Sequence, residues 1–168
     1  AAGWQTGTVP GGTPGRAETG DAGPTVVINE VLTHTDPPLS DSIELHNTTG
    51  AAINIAGWWL SDSSNNYRKY RIDENDPRAV IPAYGYVAFT EADFNPTPLT
   101  PGPNDFSLNG AHGDQVWLAA GDSSGNMLRF VDYVEFGPTA NGESLGRWPN
   151  AAGRLYPMLN RTLGAPNS

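Results

Sequence analysis

This sequence predicts an all-β fold, a sandwich or barrel of many short strands, and three observations predict it. Twenty Gly and 15 Pro in 168 residues set turns throughout and leave little room for long helices. Short runs alternate apolar and polar residues with the two-residue period of a half-buried strand. Five Trp and six Tyr supply large apolar side chains that disordered chains lack. The length suffices for one domain with a real core, although apolar content is only 38%.

Residues 1–24 are rich in Gly, Thr and Pro and read as a linker or the tail of a preceding domain. Thr13-Pro14-Gly15-Arg16-Ala17 echoes Thr162-Leu163-Gly164-Ala165-Pro166 near the other end, as a shared domain-closing phrase would. The domain proper is expected over residues 25–168.

The β-branched run Thr25–Leu32 precedes the Asp36-Pro37-Pro38 loop and predicts a first strand. Ser42–Asn47 and Ala52–Ile55 alternate as second and third strands, joined by a turn at Thr48-Thr49-Gly50. Gly57-Trp58-Trp59-Leu60 continues after a glycine kink. Tyr67–Ile72 alternates between the polar turn Ser61–Asn66 and the acidic turn Asp73–Pro77. Ala79–Pro82 and Tyr86–Phe89 follow as apolar segments. Glu91–Phe94 is good for one helical turn at most, opening a Pro-rich loop to residue 105. Phe106–Leu108 reads as a short strand. Gln115–Ala119 and Met127–Val134 read as a hairpin closed by Gly121–Gly125, and Glu143–Trp148 as the last clear strand.

The net charge of −9 repels phosphate backbones, so no nucleic-acid partner is expected. With no Cys, disulfides, thiolate zinc sites and thiol nucleophiles are excluded. No apolar run approaches the roughly 20 residues of a membrane helix, so no membrane span is expected.

In order and approximate spacing, the chain resembles the bacterial form of the lamin tail domain family. The phrases that carry the resemblance are Val27-Ile28-Asn29-Glu30-Val31, Ile43-Glu44-Leu45-His46-Asn47 and Ile53–Asp62 with its Gly57-Trp58-Trp59-Leu60. Tyr70-Arg71-Ile72, Phe106-Ser107-Leu108, Gly113–Leu118 and Val131–Val134 come next, and Ser144–Pro149 and Gly164-Ala165-Pro166-Asn167 close the series. The resemblance implies an immunoglobulin-like β-sandwich. It also implies a non-catalytic accessory module of a larger exported or cell-surface bacterial protein. Such a module binds a protein partner or serves structurally, and it is expected in an extracellular or cell-surface location.

The search for chemistry supports that expectation. His34, His46 and His112 are isolated, and none forms a His-Glu-x-x-His array. Gly121-Asp122-Ser123-Ser124-Gly125 has Gly-x-Ser-x-Gly spacing but is better read as a hairpin turn than as a nucleophile elbow, and no phosphate-cradling Gly-Lys-Ser/Thr loop occurs. Glu30 and Glu44 sit in the two opening strands. They would suit a glycosidase-type acid pair or, in the favoured reading, accept hydrogen bonds at strand ends or pair with an Arg such as Arg147. Asp73, Glu74 and Asp76 crowd one turn without the central Gly and terminal Glu of a calcium loop. Asp and Asn are ordinary turn residues. Structural calcium at Asp73 and Asp76 is the alternative to an expected absence of cofactor and metal.

The aromatics are the stronger lead. Period two places Trp58 with Leu60 toward the core and Trp59 outward. It likewise turns Tyr70 inward with Ile72 and leaves Tyr67, Lys69 and Arg71 on the exposed face. Trp59, Tyr67, Lys69 and Arg71 are therefore the candidate binding residues. Outward Trp and Tyr anchor protein partners or stack on a surface glycan, the second use drawing also on Trp117. The competing reading covers Trp59 with a loop or the N-terminal arm.

Overall fold

The computed structural model describes residues 24–168; the expected linker lies, but for its last residue, outside them. Eleven strands follow one another: β1 Val26–Leu32, β2 Ser42–Asn47, β3 Ile53–Asn54, β4 Trp59–Ser61, β5 Tyr70–Arg71, β6 Val80–Ile81, β7 Tyr86–Thr90, β8 Asp114–Gly121, β9 Met127–Phe136, β10 Ser144–Trp148 and β11 Arg154–Pro157. A single α-helical turn among the described residues, α1 Glu91–Phe94, lies where the sequence allowed it, and Pro77–Ala79 forms a 3-10 turn; Thr90 N–H donates to Asp93 Oδ2 at 2.8 Å, the returning half of a capping box.

A five-stranded sheet in the order β11-β10-β1-β2-β7 packs on a four-stranded sheet in the order β5-β4-β8-β9, with a two-stranded β3-β6 ribbon beside them. All pairings are antiparallel. This is the predicted all-β, immunoglobulin-like β-sandwich. Ile28, Val31, Ile43, Leu45 and Phe89 meet Leu60, Val116, Leu118 and Val134 in one buried core, each fully buried aliphatic contributing about 2 kcal/mol.

A bulge sets the phase of β1. The register shifts between Ile28 and Glu30, so Asn29 is extra and Ile28 and Val31 both face inward. It also sends Glu30 outward, opposite Glu44.

The bulge leaves β1 backbone groups that β10 does not pair. Ile28 N–H donates to Asp132 Oδ2 at 2.7 Å, and Arg147 Nε donates to the Ile28 carbonyl at 2.8 Å. Arg147 Nη2 closes the ring with both Asp132 oxygens at 3.0 and 2.8 Å. Arg147 therefore pairs with Asp132 and not with Glu30 or Glu44, because its strand phase turns it to the joint between the two sheets. Burial pushes the Asp132 carboxyl up, and the Arg147 charge and the Ile28 N–H pull it back.

Three expectations are corrected. Phe106 and Leu108 are buried with Ser107 exposed, but no strand forms: Phe106 N–H bonds the Phe94 carbonyl and Leu108 N–H bonds Asp41 Oδ2. The alternation was real and the ladder partner was absent. The Tyr67–Ile72 strand shrinks to Tyr70–Arg71, because Asn66 Oδ1 accepts Arg68 N–H and holds the approach as a turn. Trp148 does not end the sheet, since β11 pairs beyond it, Trp148 against Arg154.

Candidate interaction face

The outer face of the four-stranded sheet brings most of the candidate residues together. Register places Arg71 opposite Trp59, Trp59 opposite Ala119 and Ala119 opposite Phe130. The next row runs Ser61, Trp117, Tyr133. Inward neighbours Leu60, Val116 and Leu118 are fully buried, so these rows are the outward ones.

Tyr67 folds over this face from the loop before β5. Its ring meets Trp117 at 5.0 Å and 66° and Phe130 at 4.7 Å and 78°. Trp117 stacks on Tyr133 at 4.1 Å and 38°. These edge-to-face and tilted geometries follow from the ring quadrupoles. The result is a small aromatic layer outside the sheet, with Tyr133 38% exposed; Leu128, in a β9 bulge two residues before Phe130, is 59% exposed. Tyr133 Oη donates to Glu135 Oε2 at 3.0 Å; burial first, then that carboxylate, push its phenol up.

Trp58 is buried and Trp59 outward, as the alternation required, but Trp59 is only half-exposed. The Arg71 guanidinium lies 6.0 Å from its ring centroid. A Cβ at Gly121 would come 3.0 Å from its Nε1 and 2.2 Å from the Gly57 carbonyl oxygen, so a glycine is required there. Arg71 itself bonds the Asp122 and Ser123 carbonyls at 3.2 and 3.4 Å.

The expected exposed row Tyr67-Lys69-Arg71 is corrected. Tyr67 is half-buried in the aromatic layer, and Lys69 turns away to pair with Asp62 at 2.6 Å, both side chains 18% exposed. The irregular backbone before Tyr70 breaks the period-two phase that would have aligned them. Trp117 was named only as an adjunct, and Phe130, Tyr133 and Leu128 were missed. The alternation of β9 was the available signal, and its bulges near Val131 and Leu128 scramble it.

The metal candidates serve the turn. Asp73 Oδ1 accepts the Asn75 N–H. Asp76 takes the Arg78 N–H and a forked bond from its guanidinium, with Nη2 at 2.6 Å. Arg78 reaches on to Asp93 and to the Ala88 carbonyl, capping the free edge of β7. It holds Asp76 and Asp93 below the usual carboxylate range. Among the described residues, no group of three His, Cys, Asp or Glu is placed to hold a metal ion.

The histidines lie apart in local roles. His34 bonds the Thr139 carbonyl, and His112 bonds Asn109. His46 bonds the Gly85 carbonyl and stacks on Tyr86 at 4.1 Å; burial pushes its pKa down.

The Lamin Tail Domain family model matches residues 19–136. The chain belongs to the lamin tail domain family. The family is one of non-catalytic, immunoglobulin-like domains, and the aromatic face lies within the matched residues. Strands β10 and β11 and the C-terminal segment lie beyond them. No curated protein and no solved structure matches the chain. Among the described residues, no helix is long and apolar enough to cross a membrane.

Proposed function

We propose that this lamin tail domain is an interaction module of a larger exported or cell-surface bacterial protein, binding a protein partner through the outer face of its four-stranded sheet. The observation that carries the reading is the aromatic layer Tyr67, Trp117, Phe130 and Tyr133, with the exposed Leu128 two residues before Phe130 on the same strand. Rigid aromatics bury much area on binding and lose little side-chain entropy, which makes them the usual anchors of protein interfaces.

The glycan alternative is weaker. A sugar needs an open ring face, and the Trp117 ring is occupied by Tyr67 and by Tyr133. The small-hydrolase reading loses its acid pair as well, because Glu30 and Glu44 are fully buried.

A photo-crosslinking residue at position 128 of the intact protein in its native cells tests the proposal, with position 84 as control. Tyr84 is 65% exposed and lies in the loop between β6 and β7. The expected result is a discrete protein adduct from position 128 and none from 84. Glycan-array binding that a Tyr133→Ala variant abolishes, with no protein adduct, would overturn it.

A further inference from the structure

The C-terminal segment, residues 158–168, crosses the outer face of the five-stranded sheet as a strap. Met158 N–H bonds the Ser144 carbonyl. Asn167 Nδ2 bonds the carbonyls of Asn29 at 3.0 Å and Arg147 at 2.9 Å. Gly146 makes room for it: a Cβ there would lie 2.7 Å from Asn167 Nδ2 and 2.8 Å from Met158 Sδ.

Under the strap sit Glu30 and Glu44, directly opposite each other on β1 and β2 and both 0% exposed. Thr162 donates to Glu30 from its N–H at 3.0 and 3.1 Å and from its hydroxyl at 2.7 Å. Asn29 Nδ2 donates to Glu44 Oε1 at 2.9 Å, and Gly164 N–H donates to Glu44 Oε2. Every one of these donors is neutral. The charged and titratable groups nearby point elsewhere. Arg147 on β10 faces Asp132, and Arg161 on the strap bonds the Gly142 carbonyl. Further along β2, His46 stacks on Tyr86 of β7; Ala88 of β7 stands opposite Glu44; Arg154 of β11 is exposed.

Two buried carboxylates side by side with no cation cannot both stay ionised at low cost. We propose that the strap is a proton-coupled latch, which closes over the Glu30–Glu44 pair most firmly when that pair holds one proton.

The titration supports the geometry. Burial, the largest cause, pushes Glu44 up to about 7; the bonds from Asn29 and Gly164 pull against it, and the Glu30 charge adds to it. An open strap readmits water and returns Glu44 toward its ordinary value of 4.5. The state with the higher pKa is favoured by acid, so closure tightens as pH falls. From pH 8 to pH 5 the closing equilibrium shifts on the order of 50-fold.

Hydrogen exchange on the full chain tests this through the amides of Thr162, Gly164 and Asn167, read as protection factors to remove the intrinsic pH dependence. Protection is expected to rise on the order of 50-fold from pH 8 to pH 5, and Glu44→Gln should flatten that profile. Protection that is unchanged or falls on acidification overturns the proposal. If Glu44→Gln fails to fold, the side-chain carboxyl ¹³C titration of the unaltered chain decides: one transition near 7 from the pair supports the latch, and two in the ordinary carboxylate range overturn it.

Discussion

The two outer faces of this sandwich are both covered, by opposite chemistries. On the five-stranded sheet the cover is the polar strap, held to Glu30, Glu44 and Asn29 by directed hydrogen bonds. On the four-stranded sheet it is a layer of rings, Tyr67 and Tyr133 against Trp117. A polar cover needs each donor and acceptor matched, so it responds to single atoms and to pH. An aromatic cover depends on area and shape, ignores pH, and leaves an apolar rim for a partner. The contrast sets a polar, pH-responsive cover against an aromatic one, and the second is the proposed partner face.

The largest break should come at the joint between the faces. Arg147→Ala strands Asp132, whose side chain is only 11% exposed, and should cost about 4 kcal/mol in urea unfolding. Trp117→Ala should cost about 3 kcal/mol, and the loss should be the same at pH 5 and pH 8, because no charge is involved.

The strap face should show the opposite behaviour. Glu44 has its folded pKa raised to about 7 from an ordinary 4.5. Its contribution is therefore fully present below about 4.5 and lost as pH rises through about 7. Unfolding free energies of the unaltered chain and Glu44→Gln should diverge over that window by about 2 kcal/mol. The smallest effect is Tyr133→Ala, on the rim. It should change stability by about 0.5 kcal/mol yet remove the crosslinked adduct.

Much of the fold was legible because it rests on local pattern. The alternation of Ser42–Asn47 and the turn at Gly121–Gly125 gave β2 and the β8–β9 hairpin. The Trp58/Trp59 division followed from parity alone. What was not legible depends on distant partners. Nothing near Glu30 announces Thr162, 132 residues away. Nothing in Phe106-Ser107-Leu108 says that no strand lies beside it. The pairing of Arg147 with Asp132 follows from the Asn29 bulge, and a bulge leaves no mark in the alternation except two apolar residues three apart. The candidate face was half legible: Trp59, Tyr67 and Arg71 reach it, and Lys69 does not, because the turn at Asn66 shifts the phase.

The difference between the faces reduces to one measurement, hydroxyl-radical footprinting of the intact protein in its native surroundings against the isolated domain. The strap side carries its own exposed probes, Trp148 at 54% and Tyr156 at 50%. The account predicts protection of Tyr133 and Leu128 in the native surroundings, with Trp148 and Tyr156 labelled equally in both samples. Protection of Trp148 and Tyr156 with Tyr133 and Leu128 unchanged would contradict it.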